Sequence, residues 1–211
     1  MEKIKNTLLF IALAYALPLA FRIELLLHYK VLLLIATAVT IFLTQPGFAK
    51  GEAKTHRADD RNSVFAILLL SLLATALPVA EWAYLHPERH HNHWLAIGLL
   101  IIAAGTGIRI WAIQTLGRFF TATVQIQDGH QLIQDGPFRL VRHPSYLGAL
   151  LTAVGSAVLL ESWWSLPVAV ALMMAAYYLR ITAEEQALLR NFGPAYREYQ
   201  RKSRRLIPGI W

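Results

Sequence analysis

The sequence predicts an all-α membrane protein, a polytopic helical bundle of about five to six spans carrying a polar pocket at its cytoplasmic end. Three observations carry this reading. Apolar runs near twenty residues recur along the 211-residue chain, each long enough to cross a hydrocarbon core of about 30 Å as a helix. Only 16% of the residues are charged and mean hydropathy is +0.43, where a soluble domain carries about a quarter charged residues. Lys and Arg are also unevenly shared. With the N-terminus inside, 17 of the 20 fall in inner segments and only Arg22, Lys30 and Arg89 in outer turns, as the positive-inside rule requires. The expected protein is therefore multi-pass with both termini cytoplasmic, in a bacterial inner membrane or the endoplasmic reticulum.

Residues 1–93 divide into three spans. Met1 to Phe21 has Lys3 and Lys5 ahead of an apolar run and Ala-Tyr-Ala at 14–16, features shared with signal peptides; it is read here as a first span. Arg22 and Glu24 make a polar turn. Leu25 to Thr44 is a second span, with His28 and Lys30 near enough to its start to snorkel outward. A charged linker, 45–62, leads into a third span, Ser63 to Leu85, where Pro78 is expected to kink the helix.

Residues 94–211 form the second region. Trp94 to Ile113 is a fourth span, followed by a polar segment over 114–143. Ser145 to Leu160 and Leu166 to Arg180 make a fifth and sixth, joined so briefly that they should form a tight helical hairpin. Trp163 and Trp164 in that connection suit the membrane interface. The last helix can continue to Phe192 and stop at Gly193, a natural left-handed cap.

Several patterns have a structural reading beside a functional one. Four histidines fall between His86 and His93; they can share a metal ion, or simply belong to a water-facing loop with one nearby carboxylate, Glu88, and no metal is expected. Gly105-Thr106-Gly107 lies inside an apolar helix, which suits close helix packing rather than dinucleotide binding. Arg109 is near the inner end of its span and can snorkel. The tail 197–205, with Arg197, Arg201, Lys202, Arg204 and Arg205, is suited to anionic headgroups. Because the basic residues cluster at the ends of apolar runs, nucleic acid is not an expected partner. The absence of cysteine excludes disulfides and thiolate catalysis.

The segment Gly129 to Gly148 is where chemistry can be placed. It is polar, punctuated by Gly and Pro, and runs into a helix beginning at Pro144, a residue suited to the first turn. The hairpin returns His143 and Arg180 to the same membrane depth, since its two arms are nearly equal in length. Tyr177, Arg180 and Glu184 share one helical face at i, i+3 and i+7. Facing His143 and Tyr146, they would make a polar pocket at the membrane boundary. Alternatively, Arg180 reaches lipid phosphates and Glu184 merely pairs with it.

Arg-His-Pro-Ser-Tyr-Leu-Gly at 142–148, preceded by His-Gln-Leu-Ile at 130–133 and Gly-Pro-Phe at 136–138, resembles the isoprenylcysteine carboxyl methyltransferases. It is similar also to the wider set of membrane methyltransferases that includes the phospholipid N-methyltransferases. The second half of the signature is Arg180, Glu184-Glu185 and Asn-Phe-Gly-Pro-Ala-Tyr-Arg-Glu-Tyr at 191–199. The resemblance covers roughly Trp94 to Trp211 and implies an S-adenosyl-L-methionine site built without a Rossmann domain. It assigns Gln125, His130, Gln131, Leu132, Ile133, Phe138, His143, Pro144, Ser145, Tyr146 and Glu184 to the cofactor. Ile133 and Phe138 stand where the family has valine and commonly tyrosine. Arg180 is implied as the substrate residue, with Tyr177 beside it, and Arg180 and Glu184 as the catalytic pair.

The acceptor implied is lipophilic, a prenylated molecule or a related lipid, alongside membrane lipids as partners. A carboxylate acceptor would need alignment but no base; an amine would need Glu184 to remove a proton. Two alternatives remain at this level. Sterol reductases using NADPH are similar in the C-terminal half, including an ending like Arg-Leu-Ile-Pro-Gly-Ile-Trp at 205–211. A non-enzymatic membrane module could hold a lipid in the same pocket.

Overall fold

The structure, a computed structural model, describes residues 2–45, 58–89, 91–121, 129 and 131–207. Among these there is no strand; the backbone is helical apart from short connections and one isolated parallel bridge, Val141 to Arg204. Seven α-helices follow in order: α1 Glu2–Ile11, α2 Tyr29–Thr44, α3 Ala58–Leu85, α4 Asn92–Leu116, α5 Pro144–Leu160, α6 Ser165–Phe192 and α7 Pro194–Lys202.

The span boundaries mostly follow the apolar runs, with two corrections in the N-terminal part. The first segment is not one helix: α1 gives way to a π-helical stretch, Ala12–Ala16, and then to a turn. The second begins as a 3₁₀ turn, Ile23–Leu27, before His28 caps α2 by accepting from the Lys30 N–H at 3.3 Å. Three stretches are long and apolar enough to cross a membrane, Val64–Leu85, Asn92–Phe119 and Ser165–Phe192, while α2 and α5 are apolar but shorter. Leu100, Phe65 and Tyr178 on these stretches are 71%, 66% and 60% exposed, outward apolar surface that suits lipid rather than water.

The close packing of α4 on α5 comes from glycine. Gly98 and Gly105 lie seven residues apart on one face of α4, and Gly148 and Gly155 likewise on α5, so each pair repeats after two turns. The helices run antiparallel, with Gly98 against Leu159, Gly155 against Ile102 and Gly105 against Gly148 and Thr152. A methyl group at Gly148 would sit 2.5 Å from the Gly105 carbonyl oxygen and 2.7 Å from the Arg109 nitrogen, so only hydrogen fits.

That packing also corrects the expectation of a tight hairpin. The link Glu161–Trp164 is short, yet α5 packs mainly on α4 and α6 mainly on α3. The two arms splay, and the space between them is open. Pro78 does lie inside α3, where its carbonyl accepts from the Ser162 hydroxyl at 2.8 Å. Glu81, one turn on and buried, caps α6: its carboxylate accepts from the Ser165 N–H and hydroxyl, both at 2.6 Å, and from the Trp164 N–H at 3.2 Å.

Opposite the mouth of the splayed arms, a second polar knot closes the bundle. Lys30 does not snorkel. It is 1% exposed and donates to the Arg89 carbonyl at 2.8 Å and to Glu161 at 3.3 Å. Glu161, at φ 58°, ends α5 in the left-handed conformation that closes a helix, the Ser162 N–H returning to the Ala157 carbonyl at 2.9 Å. His91 Nδ1 lies 2.6 Å from the Glu161 carboxylate and the His91 N–H donates to it at 3.1 Å. His91 is thus spent on a carboxylate. Among the described residues no group of three potential metal ligands converges, and His90 lies outside them.

Candidate active site

The polar chamber forms where the segment before α5, the exit of α6, α7 and the tail meet. Pro144 opens α5, as its sequence position suggested, with His143 at the cap. The 3₁₀ turn Gly136–Arg139 buries Phe138 against Ala112, Tyr196 and Tyr199. Tyr199 donates to the Phe138 carbonyl at 2.7 Å, and burial pushes its hydroxyl up to about 12, so it stays a donor. Gly193, at φ 51°, ends α6 and turns the chain into α7. From there the tail returns: the Arg142 N–H donates to the Arg204 carbonyl at 2.8 Å and the His143 N–H to that of Arg205 at 3.2 Å.

His143, Tyr146, Tyr177, Arg180 and Glu184 come together on facing sides of this chamber. Arg180 Nε donates to Glu184 at 3.1 Å and to the Tyr146 hydroxyl at 3.3 Å, and Tyr146 donates in turn to Glu184. The Tyr146 ring is 5.0 Å from that of Tyr177 and 5.9 Å from the His143 imidazole. Arg180 is 1% exposed, so it does not extend to lipid phosphates.

Glu185, which the sequence reading passed over for its neighbour, holds the chamber's outer wall. It is 3% exposed and accepts from Arg142 at 2.8 Å, from Arg205 at 2.7 and 3.1 Å and from Gln200 at 3.3 Å. Arg205 is therefore turned inward rather than offered to headgroups. His143 sits between the two carboxylates, with Nδ1 3.4 Å from Glu184 and Nε2 3.3 Å from Glu185. Burial opposes charging the ring, but the carboxylates on both sides outweigh it and raise its pKa above the ordinary 6.5.

The chamber opens into a cavity of about 430 Å³, a size typical of ligand sites. Gln131, Leu132, Ile133 and Phe138 line its polar end with His143, Ser145, Tyr146, Arg180 and Glu184. From there it runs between the splayed arms, past Thr152, Ser156 and Met173, to Leu34, Phe10 and Tyr15. Pro144 is buried at the helix start and is not part of the lining. Gln125 and His130 lie outside the described residues. Arg109, expected to snorkel, instead lines the cavity, donating to the Ser145 carbonyl at 3.0 Å and to Gln45 Oε1 at 2.8 Å. Three buried polar groups on the wall have no partner among the described residues: Arg109 Nε and the Tyr177 and Tyr196 hydroxyls. Such orphans are costly in a dry site and are what a polar ligand would satisfy.

Comparison with known proteins gives a consistent result. Residues 95–190 match the family model described as the isoprenylcysteine carboxyl methyltransferase (ICMT) family. The probable protein-S-isoprenylcysteine O-methyltransferase of Oryza sativa subsp. indica is 36% identical over 160 residues, covering 71% of this chain and 83% of that protein. Protein-S-isoprenylcysteine O-methyltransferase A of Arabidopsis thaliana is 35% identical over 133 residues, covering 62% and 68%. Among solved structures, the eukaryotic intramembrane Ras methyltransferase ICMT is similar in fold, with a TM-score of 0.57 at 24% identity over 85% of this chain. This chain spans 63% of that one, less than two thirds of its length. A helical membrane bundle, with the matched segment forming both walls of its polar chamber, and relatives of this identity and coverage lead to one assignment: the chain belongs to the isoprenylcysteine carboxyl methyltransferase family and is a membrane-embedded methyltransferase.

Proposed function

We propose that the protein transfers a methyl group from S-adenosyl-L-methionine to the carboxylate of an isoprenylcysteine-type acceptor that enters from the bilayer. The observation that carries this reading is the contact between the two walls, His143 and Tyr146 on one and Arg180 and Glu184 on the other, at the mouth of a cavity continuing between apolar helices. Methyltransferases of this family generally depend on that cofactor, and when bound it supplies an electrophilic methyl group on a sulfonium.

The donor set fits such a group. Glu184 already accepts from Tyr146 and Arg180, with His143 beside it, and keeps room for one ligand hydroxyl or amino group. The aromatic faces of Tyr146 and Tyr177 suit a nearby cation, and Gln131 to Ile133 with Phe138 would line the rest of the cofactor. Gln125, His130, Pro144 and Ser145 complete the set we assign on the family resemblance. The Glu184 carboxylate is already engaged by Tyr146, Arg180 and His143 rather than held free as a base. A carboxylate acceptor, already anionic, is therefore a better match than an amine: the chain's work is to align the oxygen and exclude water. We also place both termini in the cytoplasm and read 94–211 as the catalytic region, with residues 1–93 walling the acceptor's path.

Titration of detergent-purified protein with S-adenosylhomocysteine tests the reading. Binding is expected, and weaker binding in His143→Ala and Glu184→Ala. Absence of binding, or no effect of either substitution, refutes it. NADPH should give no thermal stabilisation; if it does and the methyl donor does not, the reductase alternative prevails. Labelled cofactor offered with prenylcysteines, phosphatidylethanolamine and small thiols identifies the acceptor.

A further inference from the structure

We propose that Arg109, rather than Arg180 alone, holds the anionic end of the acceptor. This rests on the function proposed above and names a residue of that site which neither the family motif nor the helix-face pattern picks out.

The positive charges around the chamber differ in what neutralises them. Arg142 and Arg205 converge on Glu185. Arg180 pairs with Glu184 in an i, i+4 bridge at 3.1 Å. His143 lies between the same two carboxylates. Arg109 differs. Its partners are neutral, the Ser145 carbonyl and the Gln45 amide oxygen, and no carboxylate pairs with it among the described residues. Its Nε, buried, has no acceptor among the described residues. An arginine inside the bundle whose charge is met only by dipoles is an incomplete site, because buried charges are normally paired.

Its position is suited to completing that site with substrate. Arg109 sits on α4 one turn beyond Gly105, where the glycine contacts press α4 against the first turn of α5. The bond to the Ser145 carbonyl ties it to the residue next to Tyr146, and the bond to Gln45 ties it to the end of α2. It thus stands at the junction between the polar chamber and the apolar arm of the cavity. The unpartnered Tyr177 hydroxyl faces the same cavity from α6. A carboxylate placed there would accept from Arg109 Nε and Tyr177 OH, which now have no partner. It would still reach Arg180, and its hydrocarbon would lie in the arm. The two bonds that fix the guanidinium leave it preorganised, so little rotamer freedom is lost on binding.

The test compares Arg109→Gln and Arg109→Lys with the wild-type protein, in detergent, by titration with three probes: S-adenosylhomocysteine, N-acetyl-S-farnesylcysteine, and the methyl ester of the latter. Wild-type protein should bind the free acid more tightly than the ester. Arg109→Gln should weaken binding of the acid by about 10- to 100-fold, the usual worth of a lost bond between charged groups. It should leave the ester little changed, so discrimination collapses, and should keep cofactor-product binding within about twofold. Arg109→Lys keeps the charge but not the fork and should fall between. The inference is overturned if Arg109→Gln still prefers the acid as strongly as wild type, or if acid and ester weaken together. Should Arg109→Gln fail to fold, Arg109→Lys and Tyr177→Phe carry the same comparison. If wild-type protein binds no S-adenosylhomocysteine, it is the proposed function that fails; if it does so but ignores the acid–ester difference, only the role of Arg109 does.

Discussion

Gly148 gives a demanding test of how the two walls are held. A methyl group at this position would meet the Gly105 carbonyl oxygen at 2.5 Å, the Arg109 nitrogen at 2.7 Å and Arg109 Cβ at 2.9 Å, two of them backbone atoms that cannot rotate away. Ordinary contact begins at 3.4 Å, so α4 and α5 must part by about 0.9 Å to admit it. Overpacking of this kind costs about 1–3 kcal/mol. For a chain of this length that corresponds to a fall of about 2–12 °C in the unfolding midpoint. The larger effect should be on turnover. Parting the helices moves Arg109 on α4 relative to Ser145 and Tyr146 on α5, and misplacement of about 1 Å can cost about 100-fold in rate.

The control lies on the facing helix, α4. A methyl group at Gly107 would meet nothing within 4 Å, so Gly107→Ala should be active and, through helix propensity, slightly stabilised, by up to about 1 kcal/mol. Thermal unfolding in detergent and methyl transfer from labelled cofactor, measured side by side for Gly148→Ala and Gly107→Ala, decide the matter. If the two variants behave alike, close approach of α4 and α5 does not set the geometry of the chamber.

Other predictions concern the two polar knots. Glu185→Gln leaves Arg142, Arg205 and His143 with a neutral partner and should destabilise the protein by about 3–5 kcal/mol, read by the unfolding midpoint. Lys30→Met should destabilise by leaving the buried Glu161 carboxylate with His91 as its remaining partner, and Lys30→Met with Glu161→Gln should recover part of the loss, as a double-mutant cycle in thermal unfolding would register. Because the His143 pKa is raised in the folded state, its charge contributes stability that is fully present below about pH 6.5 and lost as pH rises through the raised value. Melting curves between about pH 6 and about pH 9 should show that fall in the wild type and a flatter profile in His143→Gln.

The parts of this molecule visible in its sequence are those set by short-range rules. Pro144 starts α5 and Gly193 ends α6 because backbone chemistry there is local, and the face shared by Tyr177, Arg180 and Glu184 follows from helical repeat alone. The burial of Lys30 is invisible in the sequence because its partner, Glu161, is 131 residues away. Nothing near Lys30 in sequence distinguishes it from a snorkelling lysine. Glu184 and Glu185 lie about 100° apart around α6, so one can face the chamber and the other its outer wall; which does which depends on the tail returning with Arg205. The break in the first segment does have a local signal, Pro18, whose missing N–H and clash with the preceding turn fit the end of the π-helical stretch. The splay of the hairpin did carry a signal, the glycines at 98, 105, 148 and 155, legible only once the repeat of seven is compared across two helices.

The cavity's chemistry also depends on something residue type does not reveal. Its apolar arm is lined by Thr75, Thr152 and Ser156 as well as by Leu34 and Met173, which on composition alone would suggest a mixed polar wall. Yet each of those hydroxyls donates to a carbonyl one turn back on its own helix, at 2.9, 2.9 and 2.7 Å. Having spent its proton, each offers mainly methyl, methylene and a weakly demanding oxygen to a ligand. At the other end, Arg109 Nε, Tyr177 OH and Tyr196 OH keep their hydrogen-bond capacity unspent. The gradient from polar to apolar is therefore written in which groups are already satisfied. An occupant that matches it carries one hydrogen-bonding or anionic end and a hydrocarbon body, and a wholly polar ligand would leave the arm poorly filled. This is a physical reason, independent of any relative, for an acceptor that is lipophilic with a single polar head.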